Sequence, residues 1–212
     1  MKFKIIIGQA KHQVYAEAIC KLIEESAKVR GTGIAKREPE YINKRLRNGN
    51  AVIALQGENL AGFCYVEKWE HGKYVANSGL IVNPEFRGNG LARAIKEKAV
   101  KLAQRKYPKA KVFGITTSAA VMKINSELGY KPVAFAELTQ DETFWKGCQS
   151  CPNYDILQRN ERKLCLCTGM LAPSGNELKM KMDLSEMILN EKMKPKKSIK
   201  TVISMKVFIW FF

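Results

Sequence analysis

Apolar residues first occur as a run and only later as spaced marks. "KFKIIIG" (residues 2–8) gathers β-branched residues and stops at a glycine, which predicts a first strand. From Val14 to Arg30 the pattern changes. Val14, Ala18, Ile19, Leu22 and Ile23 recur at helical spacing and Gly31 supplies a stop, so an amphipathic helix is expected. Pro39 suits the first position of a second, shorter helix that carries Ile42 and Leu46 inward before "NGN" breaks it. Three runs follow: "AVIALQ" (51–56), "LAGFCYVEKWE" (60–70) and "YVANSGLIV" (74–82). The short turns "GEN" and "HGK" join them, which predicts an antiparallel meander. Helical spacing returns with Leu91, Ile95, Ala99 and Leu102 on one face. A strand at 111–117, a helix over 118–128 and a strand around "PVAFAEL" complete the order β-α-α-β-β-β-α-β-α-β. The predicted class is α/β with a mixed central sheet and no internal repeat.

Composition narrows the options. A chain of 212 residues buries one sizeable core, with room for a small appendage but not for two full domains. With 46% hydrophobic and 26% charged residues it reads as a soluble globular protein, and no apolar run has the length to cross a bilayer. "MKFKIIIGQAKHQ" has too short an apolar core for a secretory signal and lacks a small-residue cleavage site behind it, so a cytoplasmic location is expected. A reducing compartment disfavours structural disulfides, so the six cysteines point to a different role. The formal charge of +16 implies a polyanionic partner, either nucleic acid or a phosphorylated cofactor. Part of that excess lies in the lysine-rich stretch after Gly175, which reads as a solvated segment, so nucleic acid is disfavoured.

The stretch "NPEFRGNGLARAIKEKAV" (83–100) carries the first sign of chemistry. A strand that turns at Asn83-Pro84 and passes through "RGNGLA" into a helix leaves main-chain N–H groups unpaired at the helix start. Those donors and the positive end of the helix dipole bind phosphate oxygens. Gly88 and Gly90 remove side chains that would hold a pyrophosphate away, and Arg87 adds a charged donor at the rim.

Arg87-Gly88-Asn89-Gly90-Leu91-Ala92 fits the R/Q-x-x-G-x-G/A signature of the GNAT acyl-CoA-dependent N-acyltransferase superfamily, and the element order resembles the GNAT fold over residues 1–140. The resemblance implies that this loop grips the pyrophosphate of coenzyme A while Leu80, Ile81 and Val82 lie along the pantetheine arm. It also implies a strand splayed from its neighbour, so that unpaired amides reach the thioester. An amine held against an acyl thioester attacks directly and loses a proton to a nearby base. Glu67 and Glu70, with His71, end the third strand on the substrate side and are the candidate bases; Glu38 and Glu40 compete. Many GNAT members have a tyrosine four positions before the glycine of a terminal "LGF" or "LGY", where it protonates the leaving thiolate. Here "INSELGY" puts Asn125 at that position. An amide donates a hydrogen bond but is no general acid.

"GIAKREPEYI" (33–42) and "VFGITTSAAVMKINSELGYKPV" (112–133) resemble the acyltransferase domain of bacterial N-acetylglutamate synthases, which also lack the tyrosine. That resemblance implies glutamate as acceptor, Lys36 and Arg37 as its carboxylate clamp, a contribution from Thr117 and a role in arginine biosynthesis. Paired cations are also what two carboxylates require on physical grounds. Ser118 stands where the synthases tend to carry a further arginine. The donor is acetyl-CoA or succinyl-CoA. Other small amines, or a protein N-terminus, are alternative acceptors.

Finally, Cys148-x2-Cys151 and Cys165-x-Cys167 form two close pairs with thirteen residues between them, the pattern of a four-thiolate structural zinc site. A redox pair or buried apolar thiols are the alternatives. If "KLCLCTGML" is a strand, Cys165 and Cys167 share one face. Residues 141–172 are therefore expected to be a zinc-binding appendage packed on the acyltransferase domain, and 173–212 a basic tail. A zinc ribbon that binds nucleic acid on an acyltransferase scaffold is the rival reading, and a homodimer is left open.

Overall fold

In a computed structural model, which describes residues 2–30 and 36–193, seven strands form a single sheet in the order β1-β2-β3-β4-β5-β7-β6. Their ranges are β1 Lys4–Ile7, β2 Ala51–Gln56, β3 Asn59–Trp69, β4 Tyr74–Val82, β5 Lys111–Thr116, β6 Lys131–Val133 and β7 Thr168–Ala172. The helices are α1 Ala16–Arg30, α2 Pro39–Arg47, α3 Leu91–Lys106, α4 Ala119–Glu127, α5 Glu142–Lys146, α6 Tyr154–Arg159 and α7 Gly175–Met193. The chain divides into two compact units, Met1–Leu178 and Lys179–Phe212, and the first holds the whole sheet.

β2, β3 and β4 form the antiparallel meander that their tight turns require, and β1, which reaches β2 through α1 and α2, pairs antiparallel at its edge. The helix α3 then crosses the sheet so that β5 lies parallel to β4. Leu91, Ile95, Ala99, Leu102 and Ala103 of α3 are buried against Val52, Cys64, Val66 and Val75 on one sheet face. Each large apolar side chain buried there contributes about 1.5–3 kcal/mol. The opposite face is covered by Ala16, Ile19 and Ile23 of α1 with Ile42 and Leu46 of α2. A third cluster joins Tyr74, Phe113, Phe135, Leu138, Trp145 and Leu157, linking β4 and β5 to α5 and α6.

Three features differ from the sequence pattern. Residues 10–15 form a 3-10 turn before α1, so Val14 is exposed and Ala16 takes the inward position assigned to it; Ala18 is also exposed. Residues 168–172, the last part of the 141–172 stretch expected to pack on the domain, join its sheet. They form β7, which enters the sheet between β5 and β6 and runs antiparallel to both. That strand starts only after Cys167, yet the alternation holds on its approach: Cys165 and Cys167 are half-buried while Leu164 and Leu166 are exposed. The helix expected in "DLSEMILNEKM" begins earlier, at Gly175, because Ser174 and Glu177 form a reciprocal cap. Gly31, the opening "GIA" of the 33–42 segment and the terminal "VFIWFF" lie outside the described residues.

Candidate active site

The site begins where two strands part. β4 pairs with β5 only through Tyr74, Val75 and Ala76. Beyond Ala76 the β4 edge of β5 is unpaired, while its other edge pairs with β7 all the way from Val112 to Thr116, with Gly114 opposite Met170 and Thr116 opposite Thr168. A bulge at Phe63/Tyr65 of β3, opposite Gly79 and Leu80, increases the divergence. A wedge therefore opens from Asn77 to Val82 on one side and from Gly114 to Thr117 on the other. Asn77, Ser78, Gly79, Leu80 and Ile81 line a cavity of about 500 Å³ along it.

At the wide end lies the glycine loop. Asn83 accepts a hydrogen bond from the Glu85 amide at 3.1 Å and donates to the Leu60 carbonyl at 3.3 Å, which fixes the exit from β4. Asn89 donates to the carbonyls of Phe86 and Arg87 at 3.1 and 3.2 Å and closes the turn. Gly88 and Gly90 have φ of 80° and 70°, a left-handed conformation that side chains resist, and no neighbour stands within 4 Å of where a Cβ would lie. The first main-chain bond of α3 runs from the Ala94 amide to the Gly90 carbonyl at 3.2 Å. None of the amides from Gly88 to Arg93 donates a hydrogen bond among the described residues. The loop thus presents a set of unpaired donors at a helix N-terminus, the arrangement that binds phosphate. Arg87 borders it on an exposed position, Ala92 is half-buried and Leu91 is buried beneath it.

At the other end of the cavity stands a cation box. The part-buried Arg37 donates from Nε to the Tyr65 hydroxyl at 2.9 Å, and its guanidinium lies 5.4 Å from the Tyr41 ring centre and 5.9 Å from that of Tyr65. Among the described residues no carboxylate pairs with it, and it lines the cavity. Glu67, also in the lining, is held by Arg45 and by the Tyr41 hydroxyl. Burial, then the neighbouring Tyr65 and Glu67, push the Tyr41 phenol well above its ordinary range, so it remains a donor to Glu67. Lys36 lines the mouth and pairs with the exposed Glu38 at 3.3 Å. Trp69, Phe113 and Phe144 supply the apolar wall.

The expected residues divide accordingly. Lys36, Arg37, Glu67, Leu80, Ile81, Thr117 and Asn125 share this one cavity. Glu70 does not reach it. Its carboxylate accepts from the Gln140 amide and pairs with Lys73 at 3.6 Å. Burial would raise the Glu70 pKa, but Gln140, Thr139 and Lys73 together hold it below the ordinary carboxylate value. Asn125 is 1% exposed, donates to the Met170 sulfur at 3.4 Å and leaves its Oδ1 unpartnered.

The four cysteines do approach one another. Burial first, and then Cys151 and Cys165, raise Cys148 to about 11; burial and the other three thiols raise Cys167 to about 12. Cys148, Cys151 and Cys167 also line the cavity. Among the described residues, however, no group of three or more His, Cys, Asp or Glu converges in metal-holding geometry. Thiolates in apolar surroundings repel one another, and protonated thiols have no reason to converge on a point. Zinc therefore finds no ready-made tetrahedron here. Lys96, Asn77, Tyr41, Arg45 and Tyr65 were not among the predicted site residues. Tyrosines in strand and helix patterns read as packing residues, and nothing local distinguishes them.

Residues 16–123 match the model of the family described as the Acetyltransferase (GNAT) family. No curated protein matches the chain. Among solved structures, N-acetylglutamate synthase from Neisseria gonorrhoeae, complexed with coenzyme A and N-acetyl-glutamate, is 15% identical with a TM-score of 0.57; the match covers 81% of this chain and 35% of that one. The chain thus spans about a third of that synthase's length. A phosphinothricin acetyltransferase from Sinorhizobium meliloti in complex with AcCoA is 16% identical with a TM-score of 0.55, covering 82% of this chain and 90% of that one. The ribosomal-protein-S18-alanine N-acetyltransferase from Escherichia coli is 12% identical with a TM-score of 0.51, covering 81% and 94%. At these identities the likeness is one of fold.

Proposed function

Because the chain belongs to the GNAT acetyltransferase family and acts as an acyl-CoA-dependent N-acyltransferase, we propose that its acceptor is the α-amine of glutamate or a closely similar amino dicarboxylate. The observation that carries this reading is Arg37. It is a part-buried guanidinium in the cavity wall, oriented by Tyr65 and Tyr41, with no carboxylate among the described residues in ion-pair contact with it, although Glu67 lies near enough to favour its charge. Such a cation favours a ligand that brings a carboxylate with it. Lys36 at the mouth supplies the second charge, the ligand's carboxylate replacing the exposed Glu38 as its partner. The synthase from Neisseria gonorrhoeae, whose structure holds N-acetyl-glutamate, supports the same acceptor, and with it a place in arginine biosynthesis.

In this reading the pyrophosphate of acetyl-CoA or succinyl-CoA binds the amides of Gly88 to Arg93, with Arg87 at the rim. The pantetheine runs along Val82, Ile81 and Leu80 into the wedge. The amine, held by Arg37, attacks the thioester carbonyl in a ternary complex, and positioning the two reactants supplies much of the rate. Of the candidate carboxylates Glu38 and Glu67 line the cavity; Glu38 is exposed and paired with Lys36, whereas Glu67, held in place by Arg45 and Tyr41, receives the amine proton directly or through water. Thr117 borders the acceptor end. Among the described residues no helix is long and apolar enough to cross a membrane, and we place the enzyme in the cytoplasm, where its thiols stay reduced. We retain zinc as a proposal for Cys148, Cys151, Cys165 and Cys167 on the strength of their mutual proximity. It requires the thiols to deprotonate and draw together as the metal arrives. Elemental analysis of purified protein, before and after chelation, decides it.

The test of the acceptor is thiol release from acetyl-CoA and from succinyl-CoA, measured with glutamate against a panel of other amines. Glutamate is expected to give the highest kcat/KM, and equal rates with all amines would overturn the assignment.

A further inference from the structure

Beneath the apex of the wedge lies a charged group that the reaction described so far does not use. Lys96 is on α3, between Leu91 and Val100 on the side that faces the sheet, and is 2% exposed. Its amine lies 3.8 Å from the point where a side chain on Gly114 would begin, and that same point is 3.3 Å from the Asn77 carbonyl. Asn77 and Gly114 are the first residues beyond the paired part of β4 and β5. The amine therefore stands at the vertex, and it contributes to the cavity lining together with Asn77, Gly114 and Asn125.

Its neighbours define the setting. Tyr130 places its ring centre 5.2 Å from Nζ, and Cys64 of β3 is the other titratable group that faces it. Cys64 donates to the Asn77 Oδ1 at 3.5 Å and to the Ser78 carbonyl at 3.3 Å. No carboxylate pairs with Lys96 among the described residues; on α3 itself Glu97 is engaged with Lys101 at 2.6 Å. The Nδ2 of Asn77 and the Oδ1 of Asn125, on residues that share the cavity lining with Lys96, and the hydroxyl of Tyr130, whose ring faces Nζ, are buried and unpartnered. A buried lysine without a counter-ion is costly to fold around, and polar groups left unpaired beside it mark a place built for something else to occupy.

Distance says what arrives there. From Val82, at the phosphate loop, to Asn77 is five strand residues, about 17 Å at ~3.3–3.4 Å per residue. An extended pantetheine laid along β4 from that loop brings its sulfur to the vertex. We propose that Lys96 is a catalytic residue of the acyl transfer, its ammonium donating the proton that the coenzyme A sulfur takes up as the thioester bond breaks. The acceptor nitrogen forms its bond to the carbonyl carbon, and the tetrahedral oxyanion collapses. The C–S bond breaks with its electron pair on sulfur, and the proton from Nζ makes the thiol. The nitrogen's own proton goes to Glu67 or to water, and solvent re-protonates Lys96 once the product leaves. An amide and a thiol result from an amine and a thioester, with no further reactant. Asn125, at the position the tyrosine occupies in many GNAT members, is then relieved of a task its amide cannot perform. Burial lowers the Lys96 pKa to about 8, so the group is largely protonated at neutral pH yet releases its proton readily.

The proposal rests on coenzyme A-dependent transfer and not on glutamate as the acceptor. The experiment compares wild type, Lys96→Met and Lys96→Arg, with calorimetry confirming that each binds coenzyme A. One arm follows thiol release from acetyl-CoA with whichever amine serves best. Lys96→Met is expected to lose about 100-fold or more in kcat with little change in KM for acetyl-CoA. Wild-type kcat falls as pH rises past the lysine's titration, and the variant's profile is flat there. Lys96→Arg keeps the charge but holds its proton too tightly to donate, so it too is slow. The other arm needs no acceptor. The thiol of bound coenzyme A, titrated by its ultraviolet thiolate absorbance, ionises at lower pH in wild type and Lys96→Arg than in Lys96→Met. Wild-type kcat in either variant that binds coenzyme A, or a bound thiol that titrates alike in all three proteins, overturns the assignment. Rates that vanish with every amine while the thiol titrations differ would count against the acceptor and leave Lys96 in place.

Discussion

Arg37 and Lys96 are two cations in one cavity, and their surroundings set them different tasks. Arg37 has a hydroxyl and two aromatic faces to hold it in place, which suits a permanent charge that receives a carboxylate. Replacing it by methionine removes a charge-assisted contact of about 1.5–3 kcal/mol, so KM for glutamate should rise about ten- to a hundredfold with kcat little changed. Steady-state kinetics at saturating acetyl-CoA checks this. Lys96 has the opposite profile, because burial penalises its charged form. The unfolded chain holds the Lys96 proton up to about 10.5 and the folded chain releases it at about 8. Between those values the unfolded state binds more protons, so this lysine's contribution makes stability rise with pH. The stability that Lys96→Met gains over wild type should therefore shrink from pH 8 towards pH 10.5 in paired denaturant titrations. The phosphate loop is legible residue by residue, since an arginine and two glycines set between a strand and a helix suit an anion seat better than a plain connection. Lys96 is not. In "AIKEKAV" the run of alternating charges reads as solvated, and only the spacing of four and seven from Lys96 to Val100 and Ala103 hints that this lysine points inward.

Among the elements, the strands and the long helices follow from pattern because each buries a regular face. The exceptions are places where one turn or one partner overrides the period, as at the 3-10 turn that exposes Val14. The divergence of β4 from β5 cannot be read from apolar spacing, which reports faces and not partners; only the family resemblance implies it. The contact of α3 with the meander is close at Gly62, where an added methyl would lie 2.6 Å from Ile95 Cδ1 and 2.8 Å from the Ile81 carbonyl. Gly62→Ala should cost about 1–3 kcal/mol through overpacking. A fall in Tm of roughly 2–4 °C per kcal/mol is the measurement. Gly90→Val acts differently, since there is space around it but a φ of 70°. It should abolish binding of coenzyme A in calorimetry, with a smaller effect on the melting temperature than on affinity.

On the scale of the molecule, titration links the thiols to stability. Burial first raises Cys64 and Cys148 to about 11 and Cys167 to about 12, against 9.0 for a free thiol. In the metal-free protein the folded chain retains protons that the unfolded chain gives up, so stability is present below pH 9 and is lost as pH rises towards 11 and 12. Melts in the Lys96→Met background, where the opposing slope from Lys96 is absent, should show this fall. Substituting Cys148 and Cys167 by serine should make it shallower, with Cys64 and the raised Tyr41 phenol supplying the rest.

The placing of β7 has a consequence for how the chain is made. As the polypeptide leaves the ribosome, β5 emerges about fifty residues before the strand that pairs with it beyond the wedge, and β6 waits for the same partner. Until then both expose unpaired edges, which invite association with other nascent chains. A version ending at residue 160 should collect in the pellet, and one ending at residue 178 should stay in the supernatant.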